Sequence, residues 1–363
     1  MNISPDLPTS AENEIPHPVR SSSVVMGRQD YLSVMLRLIG MELYKLRRRR
    51  MSRVLGSIAA ALAIILFLLI SIGTFLTQNA PAESFAPPCQ TLSNPGATPA
   101  NGNPGPGQPT NCPTPSPAQL EQLRHDALES VSTPLRLPIS LNVAVQFALT
   151  PCTVLIIILI GTMVGGEYSI GTVRLLFTRG PTRTQFLLAK VGAAFISVLI
   201  GILMMVILGV LTGQVLNPVS GFPQTGDFLN AGWVEHALLY LFIAVLNWFM
   251  YGAIAVFFGV LGRSTVAGIV GALTWFFVEP ILGSVLSLIS NFSRGPFGDI
   301  LKAIPDYFIG NNFGALLGDQ AHYLFGYNPP TLSTIHALIV LPCYFVLFIG
   351  LAWWLNKRRD VTN

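Results

Sequence analysis

The feature that most constrains this chain is a series of apolar blocks of about 20 residues, separated by polar segments. A helix of about this length crosses the roughly 30 Å hydrocarbon core of a bilayer. Because the bilayer interior offers no water, each spanning segment must satisfy its own backbone hydrogen bonds, which favours helices. Only 10% of the residues are charged and 51% are hydrophobic, which excludes an ordinary soluble domain. The sequence predicts an all-α integral membrane protein.

The apolar blocks predict a transmembrane domain over 54–356 with six transmembrane helices. The predicted spans are 54–76, 139–164, 188–211, 236–261, 265–289 and 332–355. Residues 1–28 are polar and are predicted to form a disordered cytoplasmic tail, and 357–363 form a short basic tail. A cleaved signal peptide is disfavoured, because a long polar and basic segment precedes the first span.

The segment 29–53 predicts an N-terminal amphipathic helix that lies in the membrane interface and leads into the first span. Its apolar residues recur at three- and four-residue spacing, with charged residues between them. It ends in four consecutive arginines at 47–50, followed by Arg53. Such a run beside a span sets topology and contacts anionic headgroups, so the lipid bilayer is its expected partner rather than nucleic acid.

The distribution of lysine and arginine predicts the orientation of the chain. Basic residues precede the first span, lie between the second and third spans and between the fourth and fifth, and follow the last one. Positive charge close to span ends stays in the cytoplasm, so both termini are predicted to be cytoplasmic. We expect a multi-pass protein of the cell membrane, plasma or inner, with 77–138, 213–234 and 291–331 outside.

The exterior segment 77–138 is rich in proline, glycine and asparagine in its first half and contains Cys89 and Cys112. An exterior loop meets an oxidising environment, so a disulfide between these two cysteines is favoured over two free thiols. A membrane anchor or sensor whose proline-rich loop binds a ligand is one functional alternative.

The loop 166–190 has the highest density of candidate functional side chains. Gly171 and Thr172 suit the start of a short helix with an apolar face, and Gly180 and Pro181 end it. Thr182 can cap the following span. An ordinary positively charged cytoplasmic loop is the alternative interpretation of this segment.

This loop resembles the first cytoplasmic loop of the type-2 class of ABC transporter permeases. The residues that match in order and spacing are Glu167, Gly171, Thr172, Arg174, Gly180, Pro181, Arg183 and Lys190. The stretch 41–47 is similar to the helix that precedes the first span in that family, and 304–306 also fits before the last span. The proline-rich exterior loop departs from the family pattern.

The resemblance implies the membrane-spanning permease subunit of an ATP-driven ABC transporter, of the exporter type. A cytoplasmic coupling helix at about 168–178, between spans two and three, would sit in a groove of a separate ABC ATPase subunit. Gly171, Thr172, Arg174 and Arg183 would belong to this coupling site, and Glu167 would anchor it to the N-terminal helix. A second permease copy, in a homodimer or heterodimer, is also implied.

The chain itself is not expected to be an enzyme. It has no G-x-x-x-x-G-K-[ST] phosphate loop, so ATP would be used by the partner subunit, with no cofactor on this chain. Its histidines and cysteines lack the spacing of metal ligands, and no metal site is predicted.

Glu279 and Asn247 form a possible intramembrane polar site within predicted spans. A carboxylate in a span is costly and points to function. Pro280 breaks the helix in the favoured interpretation, leaving Glu279 solvated or hydrogen-bonded at a bend. For Asn247, hydrogen bonding between helices is favoured. The functional alternative that uses Glu279 is a stand-alone ion-coupled secondary transporter or channel.

Overall fold

The computed structural model describes residues 31–86, 115–169, 182–223, 228–293 and 295–358. Within these ranges every regular element is helical. The α-helices are α1 (Tyr31–Arg48), α2 (Arg50–Asn79), α3 (Pro117–Ser132), α4 (Ile139–Ala148), α5 (Pro151–Ser169), α6 (Arg183–Ser220), α7 (Ala231–Gly262), α8 (Thr265–Phe292), α9 (Pro296–Ala303), α10 (Ile309–Phe325) and α11 (Thr334–Arg358). Short 3-10 turns cover Ala82–Phe85, Thr133–Leu135 and Ile304–Tyr307. The predicted disordered tail at 1–28 lies outside the described residues.

In the part of the chain that the structure describes, six helices are long and apolar enough to cross a membrane. They are α2, α5, α6, α7, α8 and α11. The chain is therefore an all-helical, multi-pass membrane protein, as the apolar blocks predicted. The predicted interfacial segment 29–53 is helical from Tyr31, and an extended residue at Arg49 separates α1 from α2.

The predicted span 139–164 differs from the structure, which divides it into two helices. Helix α4 ends at Ala148, where the backbone N–H of Leu149 donates back to Val145 and Gln146. Pro151 then opens α5. Proline has no N–H and cannot continue the preceding helix, but its fixed φ suits the first position of a new one. The ten residues of α4 are too few to cross a bilayer.

Helix α6 begins earlier than the predicted start at 188, because the residue before it forms a capping box. The Thr182 hydroxyl accepts from the backbone N–H of Gln185, and the Gln185 side chain accepts from the N–H of Thr182. The helix ends at Ser220, followed by Gly221 in the left-handed region. Thr182 therefore caps α6 as expected from its position.

Helix α7 is the centre of the bundle. It packs against α5, α6, α8, α10 and α11. Fully buried side chains along it include Trp248, Met250 and Ile254. The other spanning helices are arranged around α7, so it determines which faces of its neighbours are covered.

Helices α5 and α8 cross at very short range because glycines lie at the crossing. A Cβ on Gly165 would stand 2.5 Å from the Thr265 backbone, and one on Gly161 would stand 2.8 Å from Ile269. Gly268 of α8 faces the same crossing. Small residues four positions apart allow helix backbones to approach closely in membranes, where dispersion replaces the hydrophobic effect as a driving force.

We predict that Gly165→Ala destabilises the protein, because the added methyl group would meet backbone atoms that cannot move alone. Overpacking of this kind costs about 1–3 kcal/mol. The measurement is thermal unfolding of the purified protein in detergent. Gly350→Ala is the matched control, since a Cβ there meets nothing within 4 Å. Equal melting temperatures for both variants would contradict the close crossing.

Candidate functional site

Four charged side chains meet where α1, α5 and α6 converge. The Lys190 ammonium lies 3.3 Å from Glu42 Oε2 and 3.1 Å from Glu167 Oε2. The Lys45 ammonium lies 2.9 Å from Glu42 Oε1 and 3.1 Å from Glu167 Oε1. We call Glu42, Lys45, Glu167 and Lys190 the charge cluster. Its two cations each contact both anions, so the formal charges balance and three helices are joined.

The charge cluster is largely shielded from solvent. The Lys190 side chain is 0% exposed, and those of Glu42 and Glu167 are 5% and 8% exposed. Lys45 is the most accessible member, with 34% of its side chain exposed. Lys190 also donates to the Met163 carbonyl at 2.9 Å. Buried ions are tolerated only when paired and hydrogen-bonded, so each member depends on the others.

The electrostatics at Lys45 favour its charged form. Burial lowers the pKa of Lys45, but the hydrogen bonds and charges of Glu42 and Glu167 together raise it above its ordinary value of 10.5. The stabilisation that charged Lys45 provides through Glu42 and Glu167 is fully present at neutral pH. It is lost only as the pH rises through the raised pKa of Lys45.

A second set of contacts ties the end of α11 to the same region. The Tyr168 hydroxyl donates to Asn356 Oδ1 at 2.9 Å. The Asn356 amide donates to the Arg183 carbonyl at 2.9 Å, and the Arg183 guanidinium donates to the Lys357 carbonyl at 3.3 Å. The end of α5 and the start of α6 are therefore both bound to α11.

The predicted coupling residues fall partly within the described structure. Glu167 belongs to the charge cluster and contacts α1 through Lys45, and Arg183 belongs to the contacts with α11. Gly171, Thr172 and Arg174 lie in the segment 170–181, outside the described residues. Their predicted roles stay predictions.

The predicted disulfide partners Cys89 and Cys112 also lie outside the described residues. Among the residues that the structure describes, Cys152 and Cys343 are free thiols. Cys152 is buried within α5 and Cys343 is exposed on α11.

Glu279 is hydrogen-bonded rather than left alone in its span. Its carboxylate accepts the Trp275 indole N–H at 2.9 Å and the Gly310 backbone N–H at 2.7 Å. Gly310 lies in the first turn of α10, where unsatisfied N–H groups and the helix dipole favour an anion. The carboxylate thus caps a helix that is remote in sequence.

The prediction that Pro280 breaks its helix was wrong, because α8 continues from Thr265 through Pro280 to Phe292. A proline removes one backbone hydrogen bond, and neighbouring contacts in a packed bundle compensate for that loss. The hydrogen-bonded environment expected for Glu279 is present, but the helix end that supplies it belongs to α10.

Two cavities lie beside these intramembrane polar residues. Glu279, Lys302 and Asn311 line a cavity of about 510 Å³, together with serines of α8. Asn247 lines a second cavity of about 400 Å³. Both cavities share Tyr251, Pro280 and Gly310 among their lining residues, so they adjoin. The structure therefore places Glu279 and Asn247 in the same region of the bundle.

Sequence reasoning did not assign Glu42, Lys45 and Lys190 to the site as a set. The sequence did contain a signal, because Glu42 and Lys45 are three positions apart and therefore share one face of α1. Lys190 interrupts an apolar helix, which calls for a partner in the bundle. The identity of that partner depends on how α1 packs against α6.

A family model matches residues 134–362, which begin in the turn before α4 and extend past the last residue of α11. The chain belongs to the DUF2705 family. Its description is "protein of unknown function". No curated protein and no solved structure matches the chain significantly. The DUF2705 match contains Glu167 and Lys190 of the charge cluster, whereas Glu42 and Lys45 precede it.

We predict that Lys190→Met strongly destabilises this DUF2705 protein. Removing one partner of a buried ion pair leaves an uncompensated charge and costs about 3–5 kcal/mol. Thermal unfolding in detergent, or the recovery of monodisperse protein, measures the loss. Lys45→Met is the matched comparison and is expected to cost less, because Lys45 is more exposed.

The double variant Lys190→Met with Glu167→Gln tests whether the loss of stability comes from breaking the ion pair or from changing the packing of the side chains. Its loss of stability is expected to be smaller than the sum of the two single losses, because both single changes break the same contact. Additive losses, or a Lys190→Met protein that melts like the wild type, would contradict the charge cluster.

We predict that Glu279→Ala destabilises the protein more than Glu279→Gln does. Alanine removes the acceptor at the start of α10, and losing a helix cap costs about 0.5–2 kcal/mol. Glutamine retains one acceptor oxygen for the Gly310 N–H. Thermal unfolding of both variants measures the difference. Equal stability of the two variants would show that the carboxylate does not act as a cap.

Proposed function

We propose that this DUF2705 protein is the membrane-spanning permease subunit of an ATP-driven ABC transporter of the exporter type. It would reside in the cell membrane with both termini in the cytoplasm. A separate ATPase subunit would couple to it through the loop 166–190. The charge cluster is the observation that carries this proposal, because two of its members lie at the ends of that loop.

The charge cluster joins both ends of the loop 166–190 to α1. Glu167 lies just before the segment 170–181, and Lys190 lies about two turns into the helix that follows it. Glu167 is paired with Lys45 of α1, and Lys190 is paired with Glu42 of α1. A displacement of the loop would therefore move α1, α5 and α6 together.

Hydrogen bonds at both ends of the same loop also reach the last helix, α11. Tyr168 and Arg183 flank the same segment and both contact Asn356 near the end of α11. Polar contacts of this kind depend on orientation, so they hold one register between helices where apolar contacts would allow sliding. Motion received at Gly171, Thr172 and Arg174 would pass to four helices.

The exposed apolar surface of the helices could contact the other expected partners, which are lipid and a second permease copy. Helices α2 and α8 are apolar along their length, yet few of their residues are buried by the described parts of the chain. Lipid covers such faces in a membrane, and we propose that a second permease copy, in a homodimer or heterodimer, covers part of them.

The ion-coupled secondary transporter or channel receives less support. It depends on Glu279, and the contacts of that carboxylate with Trp275 and Gly310 give it a structural role in capping α10. The adjoining cavities at Glu279 and Asn247 keep this function as the second candidate. Loss of transport in a stably folded Glu279→Gln protein would favour it.

The decisive experiment is a pull-down of the tagged full chain from its native host in mild detergent. We expect an ABC ATPase at near-equal amount, and we expect Arg174→Glu to reduce its recovery at least about tenfold, which corresponds to about 1.4 kcal/mol. Charge reversal at a residue that contacts the partner introduces repulsion and an unpaired charge.

Lys302→Glu is the matched control, because it reverses a lysine in the segment 291–331, which is predicted to lie on the opposite side of the membrane. It should leave ATPase recovery unchanged. A well-folded wild-type protein that brings down no ATPase would refute the permease proposal. Equal ATPase recovery with Arg174→Glu would remove Arg174 from the coupling site.

A further inference from the structure

A third cavity, of about 390 Å³, lies among α1, α2, α5, α6 and α7. Its walls are almost entirely apolar and include Leu46, Ala59, Ile156, Met204 and Trp248. This volume falls within the range of small-molecule sites, which are mostly apolar with a few placed polar groups. No described residue of the charge cluster, of the loop 166–190 or of the Glu279 region lines this cavity.

The polar lining of this cavity is concentrated where α1 passes into α2. Arg47 and Ser52 line it there, and Ser197 lies along α6. The Ser197 hydroxyl donates to the Ala193 carbonyl at 2.8 Å, so it is already satisfied. The cavity therefore has mostly apolar walls, with Arg47 as the one charged residue among the described residues of its lining.

Arg47 differs from the two arginines that directly follow it, Arg48 and Arg49. Arg48 lies over the Tyr44 ring at 5.2 Å, and Arg49 donates to the Thr162 carbonyl at 3.5 Å. Arg47 is exposed and forms no ion pair within the described ranges. It is the one charged residue in the described lining of this cavity, and the length of its side chain allows the guanidinium to meet an anionic group there.

We propose that this cavity binds an anionic phospholipid, with one acyl chain against the apolar walls and the headgroup phosphate at Arg47. Guanidinium groups pair with phosphate oxygens through charge-assisted hydrogen bonds. A zwitterionic lipid also carries a phosphate, but its headgroup cation offsets that charge, so a headgroup with net negative charge pairs better with Arg47. A free phosphate would leave the apolar walls unused. Basic residues beside a membrane helix favour anionic lipid for the same reason. This proposal does not depend on the permease function.

Gly56 provides a way to block the cavity. It lines the cavity on α2, and a Cβ built on it meets nothing within 4 Å. A leucine at this position has space for its side chain and improves helix propensity over glycine. Gly56→Leu is therefore expected to fold while reducing the room for an acyl chain.

The experiment is native mass spectrometry of the purified full chain with phosphatidylglycerol or phosphatidylcholine of identical acyl chains. We expect one phosphatidylglycerol to stay bound to the wild type. Arg47→Gln should lower its bound fraction about fivefold, which corresponds to the roughly 1 kcal/mol that one basic residue contributes. Gly56→Leu should lower it to a similar extent.

Arg53→Gln and Gly350→Leu are the matched controls, since neither residue lines the cavity. Both should bind phosphatidylglycerol like the wild type. Equal retention of the two lipids by the wild type, or unchanged binding in Gly56→Leu or Arg47→Gln, would overturn the proposal. Competition by inorganic phosphate alone would also overturn it, because it would show a free-anion site.

A measurement on the wild type avoids any effect of substitution on folding. Phosphatidylglycerol with a photoreactive group in its acyl chain should crosslink to peptides of α2, α5 or α6 that line the cavity. Crosslinks confined to the exposed faces of α8 or α11 would overturn the proposal.

Discussion

The arrangement of α1, α5 and α6 depends on one buried cation. The Lys190 side chain has no exposed surface, and its ammonium contacts Glu42, Glu167 and the Met163 carbonyl. Removing an ammonium from water costs several kcal/mol, and only well-placed anions and carbonyls offset that cost. Since these groups come from separate helices, the helices must adopt the one arrangement that brings them together. Glu167 and Lys190 lie near the two ends of the loop 166–190. The contacts of these two residues therefore fix the positions of both ends of the loop.

Glycine contacts supply the second constraint. In a bilayer, apolar side chains gain little by leaving lipid for one another, so close backbone approach and polar contacts decide which helix faces meet. Gly161 and Gly165 bring α5 against α8 at a distance that any side chain would prevent. Helix α7 then fills the centre, and α10 is positioned by the Glu279 carboxylate at its first turn.

The sequence predicted the helical membrane class and the count of six spanning helices, because the length of an apolar block is a local property. The prediction that Thr182 caps α6 also rested on local sequence, and the structure confirmed it. The division of the second predicted span at Pro151 was missed, because apolar residues continue on both sides of the proline. For Glu279, the sequence indicated a costly carboxylate that needs hydrogen bonds, but α10 begins 30 residues later, and no local pattern links the two.

The sequence by itself determined which segments enter the membrane, where basic residues accumulate, and which charged residues carry a cost that must be offset. Only the tertiary structure decided how that cost is offset: Lys190 by Glu42 and Glu167, and Glu279 by the start of α10. It also decided that Arg47 lines a mostly apolar cavity. The physical reason is that burial and hydrophobic periodicity are properties of single helices, whereas the pairing of charges depends on which helix faces meet.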